Sequence, residues 1–189
     1  WGGGFEPSQV NKIEFVTIAT TANATDFGDL TVARNGCARA MSPTRGLFAS
    51  GGNPSAVNTI DYITMATTGN ATDFGDTTDS GPNGLQGTSS NTRGIFAGTG
   101  PSRKTINFVT IATTGNATDF GDMRFDSSQR TGTGNTIRGI FMGGYISPTG
   151  RTTLIDQITI ATTGDATAFG DLITTTSFAG STSDSHGGL

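Results

Sequence analysis

One phrase of thirteen residues is written four times in this chain. It runs Thr17-Ile-Ala-Thr-Thr-Ala-Asn-Ala-Thr-Asp-Phe-Gly-Asp29, and it returns, nearly unchanged, at 64–76, 110–122 and 159–171. The starts are 47, 46 and 49 residues apart, and 47 residues also lead from Thr159 through Leu189 and on from Trp1 to Thr17. Four periods therefore account for all 189 residues. A period of this length with strand-like content is the signature of a propeller or a related repeat array.

Composition narrows the architecture. Apolar residues come in short β-branched and aromatic runs separated by Gly, Asn, Pro, Ser and Asp, which reads as all-β. No stretch shows an extended 3.6-residue apolar period with caps, so helix is not expected. A disordered linker of similar composition has no need for Phe, Ile and Val at fixed places in every repeat. Eleven basic residues against fifteen acidic ones leave a net charge of −4, with no basic stripe to meet a nucleic acid. No apolar run is long enough to insert in a membrane as a helix, and no signal peptide is present. The chain opens on Trp1 inside a repeat, which suggests a processed product or a piece of a longer protein. The single Cys37 leaves the compartment unread.

Each repeat resolves into four short strands. Residues 13–19, 60–66, 106–112 and 155–161 form the third, with apolar residues at both parities, as a strand sandwiched between two sheets requires. Gly69-Asn70, Gly115-Asn116 and Gly164-Asp165 then supply the positive φ of a tight hairpin, Ala22-Asn23 being the exception. The fourth strand carries Phe27, Phe74, Phe120 or Phe169 as its core residue. The second begins at Arg45, Arg93 and Arg138, each followed by Gly, an aliphatic residue and Phe. Stretches of small residues at 36–40, 84–88, 131–134 and 179–182 read as an innermost strand, where converging sheets leave little volume, or else as plain loop.

The segment Ile140-Phe-Met-Gly-Gly144, the variable loop after it, the apolar strand at 154–160 and Phe169-Gly-Asp-Leu172 together resemble the kelch motif. That resemblance implies a β-propeller whose blades are four-stranded and antiparallel. Near-identical Ile-Ala-Thr-Thr-Gly-Asn-Ala-Thr-Asp-Phe-Gly-Asp phrases alternating with Arg-Gly-Ile-Phe are similar to repeat segments in structural proteins of marine bacteriophages, cyanophages in particular. This second resemblance implies a virion-associated fibre or decoration role and no activity.

The two ends of the chain complete one another. His186-Gly-Gly-Leu189 joined to Trp1-Gly-Gly matches residues 138–144, so both ends are expected to be halves of one second strand. Residues 1–189 are then a single domain, a four-bladed β-propeller whose last blade is shared by both termini. The alternative is a four-repeat slice of a longer array.

Chemistry is sparsely supplied. With one His, one Cys and two Tyr, a Ser-His-Asp triad or a copper site lacks its residues, and His186 stands where the other repeats have arginine. No cofactor, metal or enzymatic role is expected. The pairs Asp26/Asp29, Asp73/Asp76 and Asp119/Asp122 lack the dense oxygen run of a calcium loop and read as turn residues or partners of the repeated arginines. Asn23, Asn70 and Asn116 begin glycosylation-type triplets, but their recurrence suits a turn equally well. Function is sought where the copies disagree. The loops between second and third strands, and those after Gly-Asp, differ in every repeat and leave a propeller on one face. Phe5, Arg103, Lys104, Arg124, Phe125, Tyr145 and Arg151 are the candidate binding residues there. The expected role is a non-enzymatic virion or extracellular module for adhesion or host recognition, its partner a host-surface glycan or another virion protein. The alternative is a lectin-like propeller with no virus attached.

Overall fold

The computed structural model describes residues 1–81, 85–99 and 104–183. Among these residues there is no helix, and sixteen strands form four antiparallel sheets. The first sheet has β1 (Gly2–Phe5), β2 (Gln9–Phe15) and β3 (Thr25–Asp29). The second has β4 (Ala38–Met41), β5 (Arg45–Asn53), β6 (Ser55–Thr64) and β7 (Thr72–Gly81). The third has β8 (Gln86–Ser89), β9 (Arg93–Thr99), β10 (Thr105–Thr110) and β11 (Thr118–Asp122). The fourth has β12 (Thr131–Gly134), β13 (Arg138–Met142), β14 (Tyr145–Ile146), β15 (Gly150–Thr159) and β16 (Thr167–Thr176), with the short β14 paired to β15 beside β13.

Each sheet is one repeat, and successive sheets pack face to face. Ile13, Phe27 and Leu30 of the first sheet meet Phe48, Ile63 and Ala71 of the second. Leu47, Ile60 and Phe74 of the second meet Phe96, Val109 and Ile111 of the third. Ile106, Phe120 and Met123 of the third meet Phe141, Ile158 and Ile160 of the fourth. Neighbours such as Leu47 and Phe48 point to opposite faces of one strand, and both are buried. Apolar residues at both parities are explained by that double burial.

The small-residue stretches form strands in three repeats, as β4, β8 and β12; Gly84 lies outside the described residues. Crowding is the reason for their composition: a Cβ on Gly87 would collide with the carbonyl of Arg39 in the neighbouring sheet. The fourth such stretch, at 179–182, is not a strand, although Ser181 Oγ donates to Gly132 O at 2.7 Å.

Two sequence expectations need correction. The third strand stops at Phe15, Thr64, Thr110 and Thr159, short of the predicted alanine. The chain turns at the threonine instead: Thr67, Thr113 and Thr162 N–H donate back to Thr64, Thr110 and Thr159 O at 3.3, 3.1 and 3.2 Å. Nor is Gly-Asn a tight hairpin turn. Gly69, Gly115 and Gly164 do have the expected positive φ, at 158°, 156° and 154°, but the atoms they bond lie in the preceding sheet.

Those partners make a repeated joint. Gly69, Gly115 and Gly164 N–H donate to Phe27, Phe74 and Phe120 O at 2.7–2.8 Å. Ala71, Ala117 and Ala166 N–H donate to Asp29, Asp76 and Asp122 O at 2.7–2.8 Å. Asn70, Asn116 and Asp165 Oδ1 accept from the N–H of Asp29, Asp76 and Asp122 at 2.9–3.0 Å. The shared phrase is thus half lock and half key, its Phe-Gly-Asp engaging the Gly-Asn-Ala of the next copy. Gly75 and Gly121 are required by this approach, since a Cβ on either would lie 2.6 Å from the next sheet's backbone.

The ends of the array differ. Phe169 is 53% exposed, whereas Phe27, Phe74 and Phe120 are buried. Gln157 stands where Phe15, Tyr62 and Phe108 set a ring edge against those phenylalanines. At the opposite end Ile18 is 98% exposed, against 1% for its equivalents Ile111 and Ile160. The residues 186–189 that were expected to complete the first sheet lie outside the described residues. β1 itself pairs as Gly2↔Ile13, matching Ala49↔Ile60 and Ala97↔Ile106. This places Trp1 in the row of Phe48 and Phe96, one residue away from the register read across the termini.

Candidate binding face

Antiparallel pairing sends the connections between second and third strands, and those leaving the fourth strand, to the same end of every sheet. Hydrogen bonds tie the two loop sets together there. Gly4 N–H donates to Arg34 O at 2.9 Å, Gly144 N–H to Thr176 O at 2.8 Å, and Ser128 and Tyr145 exchange a pair at 2.8 and 3.0 Å.

A polar row missed by the sequence reading holds these loops. It occupies the second place of the third strand: Glu14, Asp61, Asn107 and Asp156, of which the last three are fully buried. Asp61 accepts from Thr31 N–H at 3.0 Å, Thr31 Oγ1 at 2.6 Å and Arg34 Nη2 at 3.0 Å. Asn107 Oδ1 accepts from Thr78 N–H at 2.9 Å. Asp156 accepts from Arg124 Nε at 2.5 Å and Arg130 Nη1 at 2.6 Å, and Arg130 Nε donates to Ser127 Oγ. A buried carboxylate so partnered fixes the loop that supplies its donors. The signal was present in the sequence, as a polar residue kept at one place of a strand that is apolar on either side.

The predicted binding residues are distributed as follows. Tyr145 and Arg151 are paired in register, and Arg151 Nε donates to Ser177 Oγ at 3.0 Å. Phe125 and Tyr145 are exposed, and the Arg124 guanidinium lies 5.2 Å from the Phe125 ring centroid. These four gather at the loop end of the fourth sheet, with Arg124 held by Asp156. Phe5 is exposed at the tip of the β1–β2 connection in the first sheet. Lys104 is half-buried beside β10, its carbonyl accepting from Met123 N–H at 2.8 Å. Arg103 lies outside the described residues. The sequence reading overlooked Phe178, an exposed aromatic with φ of 55°. It borders a cavity of about 590 Å3 lined by Asn35, Cys37, Arg39, Gln86, Thr131 and Ser181 among others. Burial pushes the Cys37 thiol above its ordinary value against the opposing pull of Arg34.

The repeated acids and arginines serve the frame. Arg45 and Arg93 donate to Ile111 and Ile160 O of the next sheet at 2.9 and 3.0 Å, and stack on Tyr62 and Phe108. They do not pair with the Gly-Asp carboxylates. Among the described residues no group of three or more His, Cys, Asp and Glu is placed to hold a metal ion. No protein-family model matches the chain, and a search of curated proteins returns no significant match.

Proposed function

We propose that the chain is the binding module of a virion structural protein, a four-bladed β-propeller that engages a host-surface glycan through its loop end. One observation carries this reading: residues shared by the copies are spent on the joints between sheets, while those that differ gather at one end and expose Phe5, Phe125, Tyr145 and Phe178. Exposed rings on a rigid frame suit the apolar C–H face of a sugar, with Arg151 as a donor at the rim. The virion assignment rests on the resemblance of the repeated phrases.

Closure into a ring is supported by the fit of the two uncovered ends. Asn23 stands ready for Asp171 as Asn116 does for Asp76, and Ala24 takes the place of Ala71 and Ala117. Arg138, exposed, is then free to reach Ile18 O as Arg45 and Arg93 reach their carbonyls.

The test is a glycan array probed with the full chain and with Phe125→Ala/Tyr145→Ala. Binding that the double substitution reduces at least tenfold supports the reading, and binding that it leaves unchanged refutes the face. Detection of these peptides in purified virions supports the viral assignment. Sugar binding by a protein absent from virions favours the free lectin.

A further inference from the structure

One innermost strand carries a long side chain where its copies carry none. Arg39 of β4 pairs with Phe48, Gly87 of β8 with Phe96 and Gly132 of β12 with Phe141, so the three share one row. A Cβ on Gly87 would collide with Arg39 O, and one on Gly132 would press on Gly87 O at 3.0 Å. Close approach of the strands thus demands glycine at two places of the row. Arg39, at the third, is exposed. Its guanidinium makes no ion pair among the described residues, unlike those of Arg34, Arg124 and Arg130.

Arg39 and both glycines line the cavity of about 590 Å3, whose walls come from the second, third and fourth sheets and from residues 178–181. That size falls within the roughly 300–1,000 Å3 of small-molecule sites. Hydrogen-bonding side chains surround it, those of Asn35, Gln86, Thr131 and Ser181. No Asp or Glu lines it among the described residues, in a chain whose net charge is −4. Glu14, which shares the neighbouring groove with Arg39, accepts instead from Trp1 Nε1 at 2.9 Å. The cavity therefore holds a cation that no acid on its walls offsets.

Phe178 supplies an apolar face beside that cation. Its ring borders the cavity and is 74% exposed. Its backbone stands at φ of 55°, a left-handed conformation uncommon at residues other than glycine, and its N–H donates to Gln129 O at 3.0 Å. An aromatic face, a guanidinium and several hydrogen-bonding groups around one cavity match a sugar ring that bears a carboxylate. We propose that this cavity is a subsite for a carboxylate-bearing sugar residue, with Arg39 meeting the carboxylate and Phe178 the C–H face of the ring. The planar fork of an arginine fits a carboxylate through two parallel hydrogen bonds, which a lysine cannot reproduce.

The inference rests on the reading of the loop end as a glycan-binding face, and it adds the acidic class of the sugar. The test is an array of sialylated and uronic-acid glycans beside their carboxyl-reduced counterparts, probed with the full chain and with Arg39→Gln, Arg39→Lys and Phe178→Ala. The parent is expected to bind an acidic glycan at least tenfold more tightly than its reduced form. Arg39→Gln should abolish that preference, Arg39→Lys should keep part of it, and Phe178→Ala should weaken binding of both forms. Unchanged urea midpoints show that the variants fold. Equal binding of acidic and reduced forms by the parent overturns the proposal, as does a preference that survives Arg39→Gln. Competition by sodium acetate as effective as that of the free sugar acid also overturns it, because the cavity is then a site for any small anion. Acidic binding that Phe125→Ala/Tyr145→Ala removes and Arg39→Gln leaves intact rejects the subsite and keeps the face. Arg39-dependent binding that Phe125→Ala/Tyr145→Ala leaves intact rejects the face and keeps the subsite. Binding to no glycan at all overturns both.

Discussion

Gly121→Ala tests the joint at its tightest point. Gly121 has φ of 144°, where a side chain costs about 1–2 kcal/mol. A Cβ there would also lie 2.6 Å from both C and O of Gly164. Separating the two strands enough to admit the methyl group breaks three hydrogen bonds, from Gly164 N–H to Phe120 O, Ala166 N–H to Asp122 O and Asp122 N–H to Asp165 Oδ1. At about 1 kcal/mol net for each, with part of the set surviving in relaxed geometry, the total loss is about 3–5 kcal/mol. With a urea dependence of about 2–3 kcal/mol per molar, the unfolding midpoint falls by about 1–2 M. Gly164→Ala is the control on the other side of the same contact. Its Cβ meets nothing within 4 Å, so it bears only the backbone cost of a side chain at φ of 154°, about 1–2 kcal/mol, with no collision and no hydrogen bond broken. A Gly121→Ala midpoint equal to the parent's, or equal losses in both variants, refutes the reasoning. Gly170→Ala extends the series to the ring. A Cβ on Gly170 meets nothing within 4 Å in the open arrangement, so a loss comparable to that of Gly121→Ala arises only if the first sheet closes on the fourth.

Asn116→Ala removes the side-chain acceptor of Asp76 N–H and should cost about 1 kcal/mol in urea unfolding, whereas Asn116→Asp should be near neutral because Asp165 makes the same bond. Asp61→Ala leaves the fully buried Arg34 guanidinium without its counter-charge, and a loss of about 3–5 kcal/mol is expected; Asp61→Asn, the residue type found at Asn107, should cost distinctly less. The Cys37 thiol should react with a disulfide reagent at pH 8 at least tenfold more slowly in the native protein than in urea. Because its native pKa is raised, the unfolded thiol ionises first, so this group contributes stability that is lost as pH rises through the ordinary thiol range; Cys37→Ser should flatten that part of the pH profile.

The strands were legible because their signal is local. Leu47-Phe48, Ile95-Phe96 and Ile140-Phe141 announce two buried faces, and the runs of small residues announce crowding, which Gly87 against Arg39 makes concrete. The Gly-Asn pair was misread for the same reason. A glycine after a strand suggests a turn of its own strand, yet the atoms that Gly69 and Asn70 engage belong to Phe27 and Asp29, about forty residues earlier. The buried row of Asp61, Asn107 and Asp156 escaped notice because each meets donors from the preceding repeat. In an array whose sheets touch only through neighbours, a residue kept in every copy need have no partner within its own copy. Reading copy n against copy n+1, rather than copy n against itself, assigns Asn70, Asp61 and Arg45 at once: the first two reach back one sheet and the last reaches forward one. The same rule leaves Trp1, Ile18, Asn23 and Glu14 at one end, and Phe169, Gly170 and Arg138 at the other, each lacking the neighbour that its equivalents have. Those residues are therefore where substitutions will distinguish a ring from an open array, and the loop aromatics, which no joint uses, are where substitutions will alter binding with little effect on stability.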